Sequence, residues 1–448
     1  MVTAMLCDNS VSIPKSGDYW ITKARVPGTL LREKCAGASV DSEGSWLVDV
    51  HIERDKVTAI EAAGKSDASG QPSINLDGLH LWPALIDVHT HLDKSQVISR
   101  IGLLNSSFAN AREAINADRK QHWTRDDILA RMDISIGSAF GNGVCAIRTH
   151  IDSYEGQAEP SWDVFAELRQ AWHGRITLQA TSSVPIDVYS TPYGEKLADL
   201  AASTEGGLIG GVLRRSTDHN YSFINNIDEL LDAQFILAKE RNLCVDLHVD
   251  ETTAIEVFHL EHVAKATLRH KMQGRVVCGH CSSLAVQTEE RIEAVLALCS
   301  DAEISIVSLP LANLYLQDRR ISRTPRLRGV TALHEIRAKM IPLALASDNV
   351  RDTFYPYGDY DPIETFRQSV AIYQLDRPLG KHLDMLGPVP AKIMAISPHG
   401  TLSTGGQANL IILPARSLNE IVCRPQANRL VITNGRRLEP EPKAIQVR

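Results

Sequence analysis

Apolar positions change their spacing twice along this chain. From 18 to 80 the pattern is short and alternating. In Val48-Asp49-Val50-His51-Ile52-Glu53 every second side chain is apolar, as a strand with one buried face requires. Asp77-Gly78 predicts a hairpin turn. The same style returns near the C-terminus, where 408–414 is a compact apolar strand and Leu430-Val431-Ile432-Thr433 runs into the turn pair Asn434-Gly435. Between these ends, near-continuous apolar runs alternate with helical segments. The runs at 86–89, 144–151, 176–181, 208–213, 244–249, 276–281, 304–309 and 341–346 predict eight buried strands. Thr124, ahead of Arg125-Asp126-Asp127, predicts a helix start, and Gly141 and Gly143 its stop. Asn226 and Glu229 open another helix, with Ile227, Leu230, Leu231, Leu237 and Ala238 as its apolar stripe.

Buried strands alternating with helices predict an α/β fold, a (β/α)8 TIM-type barrel, whose functional groups gather at the strands' C-terminal ends. The flanking strands predict a small β-sandwich domain built from both termini. The expected division is a tail over 1–17, the first part of the sandwich over 18–80, the barrel over 81–385, and the last barrel helix with the second part of the sandwich over 386–448.

Composition narrows the function without naming it. The chain has 448 residues, more than one core usually holds. Its net charge of −7 gives no electrostatic reason to expect nucleic acid or an anionic membrane as partner. No apolar run approaches the roughly 20 residues of a membrane span, and 1–17 carries no secretion signal. Eight scattered cysteines fit a reduced, cytoplasmic protein rather than a disulfide scaffold. Cys278 and Cys281 have CxxC spacing, but a structural zinc would need a second pair.

Candidate chemistry sits where the apolar runs stop. His89 and His91 lie one residue apart on a strand, so both imidazoles face one way and can reach one ion. Alone, such a pair is more often two unrelated histidines in a turn. Here Arg148-Thr149-His150-Ile151-Asp152 ends the second run, His248-Val249-Asp250-Glu251 the fifth, His280 the sixth and Asp348-Asn349 the eighth. Barrel closure brings these ends together whatever their separation in sequence. His89, His91, His248 and Asp348 offer three nitrogens and one carboxylate to a divalent ion, which would lower the pKa of water toward neutrality. Asp348 is suited to take a proton from that water. Glu251 stands near the ligands without being one and can carry a proton to a substrate nitrogen. His280 can steady a developing oxyanion. Other polar residues have blander readings. His150 is expected to be a satisfied histidine at a strand end, Asp250 to brace a loop, and His259, His262 and His270 to lie on a surface helix face.

With these motifs, together with Asn313 to Arg319 and Tyr355-Pro356-Tyr357-Gly358, the chain resembles the amidohydrolase superfamily, cytosine deaminase-like branch. The resemblance implies one metal, Zn2+ or Fe2+, on His89, His91, His248 and Asp348. It assigns proton transfer and polarisation to Glu251 and His280, and implies a homo-oligomer. Binuclear relatives carry a carboxylated lysine at the end of the fourth strand; here Leu213-Arg214-Arg215-Ser216 has none, which favours a single ion over hydantoinase-like chemistry. The departures concern substrate. Val184 or Pro185 stands where cytosine deaminases use a glutamine, Asn349 replaces a second aspartate, and Phe354 replaces a tryptophan. His-Leu-Asp-Lys, ending at Lys94, and Asp348-Asn349 are similar to N-isopropylammelide isopropyl amidohydrolase, a triazine-processing relative. Lys94, Asn349, Phe354 and Pro185 are therefore the expected substrate contacts.

The expected activity is hydrolytic deamination of a small-molecule flat nitrogen heterocycle of purine, pterin, pyrimidine or triazine type, other than cytosine. The alternatives are release of an alkylamine from an N-substituted triazine, opening of a cyclic amide, or a non-catalytic barrel paralogue.

Overall fold

The computed structural model describes residues 13–14, 17–102 and 107–439; most of the expected tail over 1–17, with Cys7, lies outside them. The chain divides into two compact units. Among the described residues, one comprises those up to Ile86, Ala139–Ala146 and those from Asp361 on; the other comprises those from Asp87 to Ser138 and Ile147–Tyr360.

The terminal segments form one hydrogen-bonded sheet. It contains β1 (Asp18–Pro27), β2 (Ser45–Glu53), β3 (Lys56–Ala62), β4 (Ser73–Asn75) and β5 (His80–Pro83) from the N-terminal side. The barrel strands β6 to β13 follow, and the sheet is completed by β14 (Leu410–Leu413), β15 (Leu430–Thr433) and β16 (Arg436–Arg437). The order is β16-β15-β14-β5-β1-β2-β3, with β4 paired to β1. The alternation in β2 does what the sequence predicts: Val48, Val50 and Ile52 are buried in a core shared with Tyr19, Ile21, Leu81, Leu410 and Ile432. The N- and C-terminal parts meet along β5 and β14, where Trp82 pairs with Ile411.

The eight central runs all become parallel strands: β6 (Leu85–Thr90), β7 (Val144–Asp152), β8 (Thr177–Ser183), β9 (Gly207–Val212), β10 (Val245–Val249), β11 (Val276–His280), β12 (Ser305–Ser308) and β13 (Leu343–Leu345). Their order is sequential, with β6 and β13 at the two ends of the list. A parallel bridge between Thr90 and Asp348 joins those ends, giving the nearly closed (β/α)8 barrel. One apolar run is divided more finely than its hydrophobicity indicates. Residues 81–88 serve two sheets, β5 before Ala84 and β6 after it, because an unbroken apolar stretch carries no mark of where pairing partners change.

Helix starts follow their caps. The Arg125–Gly141 helix has Thr124 Oγ1 accepting from the Asp127 amide at 3.3 Å, the predicted cap. The Ile227–Glu240 helix buries the predicted stripe residues Ile227, Leu230, Leu231 and Ala238.

Inside the barrel a charged pair crosses from β7 to β10. Arg148 Nη1 meets Asp246 Oδ2 at 2.8 Å, and both side chains are at most 3% exposed. Removing one member leaves the other charge buried and under-compensated. Asp246→Ala is expected to cost about 3–5 kcal/mol, read as a lower urea midpoint for loss of far-ultraviolet ellipticity; an unchanged midpoint would show that the pair does not support the barrel.

Candidate active site

His89 and His91 leave the C-terminal end of β6, and period-two alternation directs both rings to the same place. His91 Nε2 lies 3.1 Å from His248 Nε2 and 3.3 Å from Asp348 Oδ1; His89 Nε2 lies 3.7 Å from the same oxygen. The structure thus brings together the four residues predicted as ligands. Asp348 reaches them because its backbone amide donates to the His89 carbonyl at 3.0 Å, and because its φ of 63° turns the chain sharply after β13.

The donor set fits a cation. Burial holds His89, His91 and His248 well below the usual histidine range, so each is a neutral imidazole with a lone pair to give. Both ring nitrogens of His89 and both carboxylate oxygens of Asp348 are buried without a hydrogen-bond partner. Each such group costs about 1–3 kcal/mol if nothing satisfies it, and a divalent ion would satisfy several at once. Ligand atoms of His89, His91 and Asp348 all lie within 4.8 Å of one another.

His150 departs from its expected role. It is not a satisfied strand-end histidine: both nitrogens lack hydrogen bonds, and its ring lies 3.8 Å from that of His89. It therefore belongs to the same histidine cluster. His259 departs too. It is fully buried, with Nδ1 2.8 Å from Asp250 and Nε2 accepting from the Ile224 amide at 3.1 Å. A helical stripe of histidines gives no sign of a carboxylate waiting beneath it. Asp250 braces the loop as expected, accepting from the amides of His259 and Leu260. Cys278 and Cys281 are free and buried.

A cavity opens over the cluster, with about 540 Å³ of empty space including its open mouth. His91, His248, Glu251 and His280 line it. Burial, and then the charge of Asp348, push the Glu251 carboxyl up to about 8, so it carries a proton at neutral pH. Tyr221 donates to Glu251 Oε2 at 2.8 Å and fixes the carboxyl plane. Asn313 Nδ2 donates to His280 Nδ1 at 2.9 Å. The proton of neutral His280 is therefore on Nε2, which is buried and without a partner.

Of the expected substrate contacts, Lys94, Asn349 and Phe354 line the cavity. Lys94 also pairs with Asp152 at 2.9 Å. Burial opposes its charge, but Asp152 and Asp93 outweigh burial and keep it protonated. Asn349 Nδ2 is committed to Asp352 at 2.6 Å. Phe354 meets Phe108 with ring centroids 5.5 Å apart. Pro185 is placed differently: it is buried in a backbone bridge to Val212, and Ser183 from the end of β8 lines the cavity instead. Tyr355 and Tyr357 pack on Tyr315 rather than on the cavity wall. Sequence reasoning missed Tyr221 and Phe108. Tyr221 lies in a connection without periodicity, and Phe108 reads as an ordinary helix residue.

A (β/α)8 barrel that gathers buried imidazoles and carboxylates under one cavity at its strand ends is a metal-dependent barrel enzyme by architecture and donor chemistry. A family model described as amidohydrolase family matches residues 100–438, and the chain belongs to that family. It is 39% identical to pterin deaminase of Rhizobium rhizogenes (strain K84 / ATCC BAA-868) over 428 residues, 95% of each chain. It is 26% identical to N-isopropylammelide isopropyl amidohydrolase of Pseudomonas sp. (strain ADP), over 88% of this chain and 94% of that one. Among solved structures, 5-methylcytosine deaminase from Klebsiella pneumoniae liganded with phosphonocytosine superposes with a TM-score of 0.79 at 22% identity, covering 94% of this chain and 98% of the other.

The ligand set has a direct test. His248→Ala and Asp348→Ala are each expected to weaken Zn2+ binding by at least about 10-fold, measured by competition with a chromophoric chelator. Affinity equal to the unaltered protein would remove that residue from the set.

Proposed function

We propose that this amidohydrolase is a metal-dependent aminohydrolase that deaminates a flat nitrogen heterocycle of pterin type. The chemistry rests on one observation: a protonated, buried Glu251 and a proton-donating His280 Nε2 border the same cavity as His91 and His248, which cluster with His89 and Asp348. The choice of a pterin is supported by the 39% identical relative, a pterin deaminase matched over nearly its whole length.

His89, His91, His248 and Asp348 would hold a single Zn2+ or Fe2+. The end of the fourth strand, Leu213-Arg214-Arg215-Ser216, lacks the lysine of binuclear relatives, which supports the single ion. The bound cation supplies Lewis acidity and makes water acidic enough to act as a nucleophile near neutral pH. Asp348 takes a proton from the attacking water. Water oxygen bonds to the ring carbon that bears the amine. Glu251, held by Tyr221, gives its proton to the adjacent ring nitrogen. His280 Nε2 donates to the oxygen on the tetrahedral carbon. The proton collected by Asp348 passes to the amine, the carbon–nitrogen bond breaks as the hydroxyl proton on the same carbon returns to the Glu251 carboxylate, and ammonia leaves a ring carbonyl behind. Phe354 and Phe108 offer apolar faces to a planar ring, and Lys94 and Asn349 are the polar contacts that orient it. The reading includes a homo-oligomer, as the family resemblance implies, working in the cytoplasm, as the free cysteines support.

A second reading, loss of an alkylamine from an N-substituted triazine, has the 26% identical relative in its favour. Product masses over a panel of pteridines and triazines separate the two.

Glu251→Gln is expected to keep its metal and lose about 10²- to 10⁴-fold in kcat, followed by ammonia release; wild-type turnover in this variant would overturn the mechanism. Glu251 works in its protonated form, which predominates below its raised pKa of about 8. The rate constant kcat/KM should therefore hold steady at neutral pH and fall as pH rises through about 8, as measured in a pH–rate profile.

A further inference from the structure

The deamination just described leaves two cavity-lining cations unused. Arg112 lies on the Phe108–His122 helix, where residues 108, 112, 115 and 116 share one face and line the cavity. Arg214 follows β9 directly and is 3% exposed. Its Nη1 donates to the carbonyls of Arg215 and Asp218, both at 2.6 Å, which fixes the guanidinium without neutralising it. Arg112 Nε is buried with no hydrogen-bond partner. Neither guanidinium takes part in an ion pair among the described residues.

The other cations nearby already share a carboxylate partner. Asp152 accepts from Lys94 and Arg119, each at 2.9 Å. Burial, and then the charge of Arg214, disfavour the charged form of Arg112, so the two guanidiniums feel one another across the cavity. Tyr154, Tyr221 and Asp218 offset only part of this; two partly desolvated like charges are costly, and an entering anion relieves both. An uncharged heterocycle can accept hydrogen bonds from such a pair but does not offset its charge.

We propose that Arg112 and Arg214 form a subsite for an anionic substituent, a carboxylate or a phosphate ester, on the edge of the heterocycle away from the carbon that loses its amine. The planar guanidinium forks of the two residues, Arg214's held in place by backbone carbonyls, suit an oxyanion with more than one oxygen. The proposal rests on the pterin reading for its scaffold but makes a separate claim about charge.

The test compares 2-amino-4-oxopteridine with its 6-carboxylate and with its 6-hydroxymethyl phosphate ester. The metal-loaded protein and its Arg112→Gln, Arg112→Lys and Arg214→Gln variants are used. The unaltered enzyme should favour at least one anionic substrate by about 10- to 100-fold in kcat/KM, mainly through KM. Arg112→Gln and Arg214→Gln should collapse that ratio, and Arg112→Lys should restore part of it. The arm with the larger preference identifies the anion. A ratio unchanged in Arg112→Gln, or a wild-type preference for the uncharged parent, would overturn the subsite. If no pteridine releases ammonia, the deaminase reading fails on its own. Equilibrium binding of the same three compounds, followed by their fluorescence, then decides the subsite by the same ratios.

Discussion

The site depends on how the barrel closes. The Asp348 amide donates to the His89 carbonyl, and Thr90 bridges Asp348 in parallel register, so the end of the eighth strand is fastened to the end of the first. That single junction sets a carboxylate from one end of the barrel sequence against an imidazole pair from the other. Asp87 supports it from below, accepting from the Ser347 amide at 3.0 Å. Without closure, the alternation that aims His89 and His91 together would aim them at nothing.

Strain and desolvation accumulate at the same place. Asp348, His280 and Asp250 all have positive φ, at 63°, 70° and 49°, and all lie at or just beyond the C-terminal ends of barrel strands. Left-handed backbone at residues other than glycine costs of order 1–3 kcal/mol each. The histidines that follow from this geometry are neutral, crowded and short of hydrogen bonds. The packed barrel and the ion pair of Arg148 with Asp246 hold this expensive arrangement in position. The cavity is lined by His91 and His248 of the ligand cluster and by Arg112 and Arg214, the guanidiniums proposed to receive an anionic substituent.

Much of this was legible before folding. Eight apolar runs became eight strands, and the ligand candidates converged because each stood at the end of one of them. His259 and His150 show where such reading stops. Helical spacing placed His259 outside, yet a buried Asp250 claims its Nδ1. His150 looked like a histidine that would find local partners, but barrel packing sets its ring against that of His89, tilted by 34°. Pro185 was expected at the substrate by alignment, while the backbone bridge to Val212 takes it out of the cavity.

The sequence by itself determined the strand and helix periods, the residue types at each strand end, and hence the class of chemistry, because these follow from local spacing and side-chain identity. Tertiary structure alone decided that Tyr221 holds Glu251, that Asn313 sets the tautomer of His280, and that Arg112 and Arg214 share one cavity. Those relations join residues far apart in the chain through loops and helix faces, and only the closed barrel brings them within bonding distance or into one space.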